Sequence, residues 1–135
     1  MKERLLSILE KSRTYTLSVA DAMPESSFNT QLIRDSWEFG DLLNHIAYGI
    51  QWWDSNVIKK IVTEWEEPAT PTNKEDIMMY IHEGYDMVKR TIEESEISDD
   101  LINNFNSTLD HITHHRGQAV LFLRKNNITP PEYDY

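Results

Sequence analysis

Two of the five histidines in the chain, His111 and His115, stand four residues apart in the segment DHITHHRGQ. On a helix that spacing separates two side chains by about 40° around the axis and about 6 Å along it. Both imidazoles can then reach one divalent ion at a metal–nitrogen distance of about 2.0–2.1 Å. The same spacing also suits a solvated, histidine-rich surface, so the rest of the helix has to decide. His111, His115, Gln118 and Phe122 fall at offsets 0, 4, 7 and 11, one stripe flanked by Ile112, Ala119 and Leu123. That pattern turns the pair inward, where an imidazole needs partners for both ring nitrogens and a metal would satisfy one on each ring.

His45 supplies a third nitrogen. It lies on the stripe Leu42, His45, Ile46, Gly49, Ile50, Trp53 and Val57, which follows the helical period, and an unpaired polar ring there would be costly. Three inward histidines from two helices make a divalent-metal site with His45, His111 and His115 as ligands. Further positions stay open to water or substrate, which is the arrangement of a catalytic rather than a structural ion. No cysteine occurs in the chain, so the ligands are nitrogen or oxygen and any thiol has to come from outside. Imidazole suits zinc and nickel alike, and iron and manganese remain open.

Around these three, Gln118 is placed to hydrogen-bond a ligand or to sit at a helix seam. Arg116, about 100° from His115 on the helix, is expected to pair with an acid or to meet a partner subunit. His114 reads as outward or interfacial, His82 as a boundary residue of the third helix, and Asn44 as helix surface. Tyr48, Trp52 and Trp53 could wall a pocket but read first as packing and dimer contact. Gly49, Gly84 and Gly117 each weaken a helix by about 1 kcal/mol relative to alanine, and close helix approach is the expected compensation.

Four amphipathic segments must position these residues: about Lys2–Ala22, Phe39–Val62, Lys74–Ser95 and Thr108–Asn126. Leu5, Ile8, Leu9 and Leu17 mark the first; Ile77, Ile81, Gly84, Val88 and Ile92 mark the third. Asn73 and Ser107 are expected to cap the third and fourth. Pro24 and the loop EEPATPTN interrupt the chain, and helical turns are expected around Gln31–Arg34 and Asp99–Asn103. The tail ITPPEYDY is expected to pack its tyrosines back on the body. The pattern predicts an all-α four-helix bundle, with residues 1–135 as a single domain.

Composition bounds the function. Acidic residues number 23 against 13 basic, a net charge of −10, which opposes binding to nucleic acid. No run approaches the roughly 20 apolar residues of a membrane span, and the charged N-terminal segment MKERLLSILEKS is unlike a signal peptide. The expectation is a cytoplasmic protein with no membrane and no nucleic-acid partner.

The segments WEFGDLLNHIAYGIQWW and HITHHRGQAVLFLRKNNITPPEYDY closely resemble the DinB-like (DinB/YfiT) superfamily, whose hallmark is a histidine on the second helix and an HxxxH on the last. The corresponding residues are His45, His111 and His115, with His114 to Gln118 forming the HHRGQ motif. The resemblance implies a four-helix bundle holding one divalent ion, zinc, nickel or another, and frequently a homodimer. It also implies a metal-dependent transferase using a low-molecular-weight thiol such as mycothiol, bacillithiol or glutathione; thiol-dependent isomerisation is known among relatives. A metal-dependent hydrolase and a non-catalytic metal-binding stress-response module are the alternatives.

Overall fold

The structure, a computed structural model, describes residues 1–133. Its helices are α1 (Lys2–Ala22), α2 (Phe39–Trp53), α3 (Lys74–Glu94) and α4 (Asp99–Lys125). No strand occurs among the described residues beyond an isolated bridge between Gln31 and Glu38. α2 packs on α3 and α4, and α1 packs on the same two helices, which sets α1 across the bundle from α2. This is the expected all-α four-helix bundle.

Local chemistry explains where the helices begin. The side chain of Asn73 accepts from the Asp76 amide to cap α3, and Ser98 accepts from the Leu101 amide to cap α4. Glu38 and Asp41 form a reciprocal capping box at the start of α2. α1 ends at Met23, which is extended (φ −82°, ψ 125°) as a residue before proline prefers. The core joins Leu5, Leu9 and Val19 of α1 to Leu42, Ile46 and Ile50 of α2, all buried. Ile81, Tyr85 and Val88 of α3 and Phe105, Ile112 and Leu123 of α4 complete it.

Several boundaries differ from the sequence reading. α2 does not run to Val62. It passes at Trp53 into a π turn, Asp54–Ile58, and Lys60 adopts a left-handed conformation (φ 60°) before a long loop to Asn73. Ile61 and Val62 are 56% and 91% exposed, so a helix continued there would have had no apolar contact to sustain it. α4 begins at Asp99 rather than Thr108, because Leu101, Phe105, Thr108 and Ile112 form one buried stripe. Ser107 therefore lies inside the helix, its hydroxyl donating to the Asn103 carbonyl at 3.1 Å. In the first connector the helical turn falls at Glu25–Ser27, not at Gln31–Arg34. Ile8 is exposed, and Thr16, Val19 and Ala20 complete the buried face of α1 instead.

Candidate metal centre

α2 and α4 bring His45, His111 and His115 together, with one nitrogen of each ring lying within 4.8 Å of the other two. His45 Nε2 and His115 Nε2 are 3.2 Å apart. Two nitrogens on one tetrahedral ion are separated by about 3.3 Å at ordinary zinc–nitrogen distances. The ring centroids of His111 and His115 are 4.6 Å apart, as neighbours one helical turn apart should be.

The remaining nitrogens decide how the rings present themselves. His45 Nδ1 donates to Glu67 Oε2 at 3.0 Å, and His115 Nδ1 donates to Gln118 Oε1 at 2.9 Å. A carboxylate only accepts, so in the neutral rings the proton sits on Nδ1 and the Nε2 lone pairs face a common space. His111 Nε2 is buried and has no hydrogen-bond partner among the described residues. Two lone pairs facing each other at 3.2 Å without a donor between them repel, and a divalent cation that also takes a nitrogen of His111 resolves this. The residues fit such an ion on their own chemistry.

Burial lowers the pKa of His111 to about 4, with the neighbouring imidazoles of His115, His45 and His114 acting in the same direction. Burial also lowers that of His115, opposed by its bond to Gln118. Both rings are thus neutral at neutral pH, the state in which an imidazole ligates.

Aromatic rings flank the group. Trp37 lies 4.6 Å from the His45 ring and 5.9 Å from that of His115, Trp65 lies 5.2 Å from His45, and Trp53 lies 5.3 Å from His111. Gly49 leaves room for His111, because a Cβ there would stand 2.7 Å from its Nε2.

A family model described as the DinB family matches residues 1–108. The chain belongs to the DinB family. The matched region includes the helix of His45 and ends before the His111–His115 pair, which the structure nonetheless places beside His45. A DinB-like protein from Bacillus cereus ATCC 10987 shares the fold, with a TM-score of 0.81 over 98% of this chain and 97% of that one at 18% identity. None of the curated proteins compared matches the chain.

Other residues fall differently from the sequence reading of this DinB-family chain. Arg116 pairs with no acid among the described residues. It is 4% exposed, its guanidinium lies 4.8 Å from the Tyr15 ring and 5.3 Å from that of Tyr133, and it donates to Thr16 Oγ1 at 3.2 Å. The centre of the buried face of α4 is Ile112, Arg116, Ala119 and Leu123, and the histidine stripe lies at its edge. Tyr133 packs back on Tyr15 as expected, while Tyr135 lies outside the described residues. Gln118 holds His115, and His114 and His82 are exposed. Gly84 permits close approach to Ala47 and Ile50 of α2, whereas Gly117 has open space around it and serves no such contact.

The sequence reading missed the loop after α2. Asn44, buried rather than on the surface, donates to the Pro68 carbonyl at 2.9 Å and to Glu67 Oε1 at 3.3 Å. The Glu66 amide donates to Tyr48 Oη at 2.8 Å, and Thr70 Oγ1 donates to Asp41 Oδ1 at 2.6 Å. These bonds strap the loop along α2 and deliver Glu67 and Trp65 to His45. A hint was present: an acid and a tryptophan close before Pro68, in the loop that follows α2.

Proposed function

We propose that this DinB-family chain holds one divalent ion on His45, His111 and His115 and acts as a transferase of a low-molecular-weight thiol. The supporting observation is the convergence of three imidazole nitrogens, two fixed by Glu67 and Gln118 and the third buried without a partner. Three protein ligands leave a coordination position for a molecule from solution. When bound there, zinc or nickel supplies Lewis acidity that lowers the pKa of a thiol or water toward neutrality.

The chain's own residues do the rest. Glu67 and Gln118 hold the tautomer and aim of two ligands, and a carboxylate on a ligating imidazole raises its basicity. Trp37, Trp53 and Trp65 supply apolar ring surface beside the group. Because no cysteine is present, the attacking sulfur belongs to the co-substrate. In the reaction the thiol loses its proton and its sulfur lone pair forms a bond to an electrophilic carbon. The electron pair of the bond that breaks leaves with the departing group, which takes up the proton.

The test is metal analysis of protein purified without a histidine tag, followed by turnover assays of zinc- and nickel-loaded protein. Several thiols are paired with a common electrophile. The expected result is one ion per chain, thiol-dependent product, and loss of both in His45→Ala with helical content unchanged. Stoichiometric metal without turnover for any thiol would overturn the transferase reading. Absence of metal after reconstitution would overturn the site itself. Formation of a homodimer is part of this proposal, and sedimentation or light scattering tests it.

A further inference from the structure

The loop between the π turn and α3 lies on the body with little buried surface. Residues 61–69 are all exposed. Trp65 gives the loop an aromatic contact, its ring 4.7 Å from that of Tyr48, 5.6 Å from that of Trp52 and 5.2 Å from that of His45. The other attachments are polar. Asn56 fixes the start of the loop by bonding the amide and hydroxyl of Thr63, and Asp41 fixes its end through Thr70. Between these points three residues of α2 hold it: Tyr48 takes the Glu66 amide, Asn44 donates to Glu67 and to the Pro68 carbonyl, and His45 donates to Glu67. A segment with few buried contacts and an exposed backbone opens locally at low free-energy cost.

One of these attachments depends on what the other side of its donor ring binds. His45 Nδ1 donates to Glu67 Oε2 at 3.0 Å, while Nε2 of the same ring faces Nε2 of His115 at 3.2 Å in the metal-binding group. A cation on Nε2 draws electron density from the ring and makes Nδ1–H a stronger donor, so the bond to the carboxylate tightens. Gln118, which holds His115, lies on the same helix as the ring it holds. Glu67 lies on the loop, so a change in the strength of its bond changes how firmly the loop is strapped to α2.

We propose that residues 61–69 form a metal-responsive closure: an ion on His45, His111 and His115 tightens the His45–Glu67 bond and holds the strap, with Trp65, down beside the site, and the closed strap in return raises the affinity for the ion. The two effects are one coupling free energy and are equal in size. The closure rests on the metal-site reading above and not on thiol transfer.

The measurement is water exchange of the Glu66 amide, followed by NMR on the full chain with and without saturating zinc, because that N–H is bonded while the strap lies on Tyr48. Zinc should slow the exchange about fivefold or more, the low end of typical couplings between sites. In Glu67→Ala, saturating zinc should leave the exchange unchanged, and zinc affinity should fall about tenfold. A carboxylate that merely tuned its ligand would lower affinity in that variant, but zinc would then have no effect on the amide in the parent chain. Tyr48→Phe keeps the ring beside Trp65 and the His45–Glu67 pair but removes the acceptor of the Glu66 amide. Its zinc affinity should fall about threefold or more, because a less populated closed strap lowers the apparent affinity in proportion. Unchanged Glu66 exchange in the zinc-bound parent chain, equal slowing in Glu67→Ala, or full zinc affinity in Tyr48→Phe would each overturn the closure and leave the metal centre standing. Failure of the parent chain to bind zinc would overturn both.

Discussion

At Gly49 the backbone of α2 gives way to the ring of His111. An added Cβ would stand 2.7 Å from Nε2 and 3.3 Å from Cδ2 of that ring, closer than atoms can sit. Elsewhere in a helix, glycine to alanine gains about 0.5–1 kcal/mol. Gly49→Ala should instead displace His111 and weaken zinc or nickel binding by about 10–100-fold, the range typical of a disturbed ligand shell. Competition with a chromophoric chelator measures it, and unchanged affinity would show that His111 does not ligate from this position. The same ring gives a pH signature in the metal-free protein. His111 ordinarily takes up a proton near 6.5, whereas in the folded chain burial holds it back to about 4. Between those values the unfolded chain binds a proton that the folded chain does not, so stability falls as the pH falls through that window. His115, lowered for the same reason, adds in the same direction. Carboxylates titrate there too, so the check is comparative: denaturant midpoints from pH 7 to pH 4.5 should fall less steeply in His111→Gln than in the parent chain.

The helices were legible in the sequence where an apolar stripe ran unbroken, and obscure where polar residues hid one. α3 follows Ile77, Ile81, Gly84, Val88 and Ile92, all buried, and its Asn73 cap stands as read. In SEISDDLINNFNST, which carries few apolar residues, the pattern shows only a separate short turn near Asp99–Asn103, yet Leu101 and Phe105 are enough to hold the stretch on the core as the start of α4 itself. Asp99 and Asp100 in the first turn favour the positive end of the helix dipole. Ser98 is therefore the cap, and Ser98→Ala should cost about 1 kcal/mol. Ser107→Ala, at an exposed interior position where alanine is the better helix former, should cost nothing or gain a few tenths of a kcal/mol. Urea denaturation of the two variants distinguishes the boundaries; the reverse order would mean that the helix starts at Thr108. The end of α2 was hidden for a different reason. Trp53, Val57 and Ile58 keep a helical look, but the π turn changes the register, and periodicity does not show one extra residue per turn. For the site, the grouping of the three histidines was legible from their spacing together with the apolar stripes they share. Glu67, Trp65 and Trp37 were not, because their place depends on loops that fold over α2.

The candidate centre is also a cross-link between α2 and α4, and its effect on the whole molecule follows from chain separation. His45 is 66 and 70 residues away from His111 and His115, so the unfolded chain cannot hold the three rings together without paying for a long loop. An ion that binds the folded state with negligible affinity for the unfolded one adds RT ln(1 + [M]/Kd), about 2.7 kcal/mol when its free concentration is a hundredfold above Kd. For a chain of this length that corresponds to a rise in Tm on the order of 10 °C. Zinc and nickel should produce it, a chelator should reverse it, and magnesium, which prefers oxygen ligands and sheds water reluctantly, should not. His45→Ala should lose most of the rise, because the remaining pair lies one turn apart on a single helix and cannot join α4 to α2. Scanning calorimetry on the metal-free and loaded chains gives the comparison. A rise that survives in His45→Ala would place the ion on His111 and His115 alone. No rise with either metal would mean that the three rings are held by hydrogen bonds through shared protons, with the fold indifferent to metal.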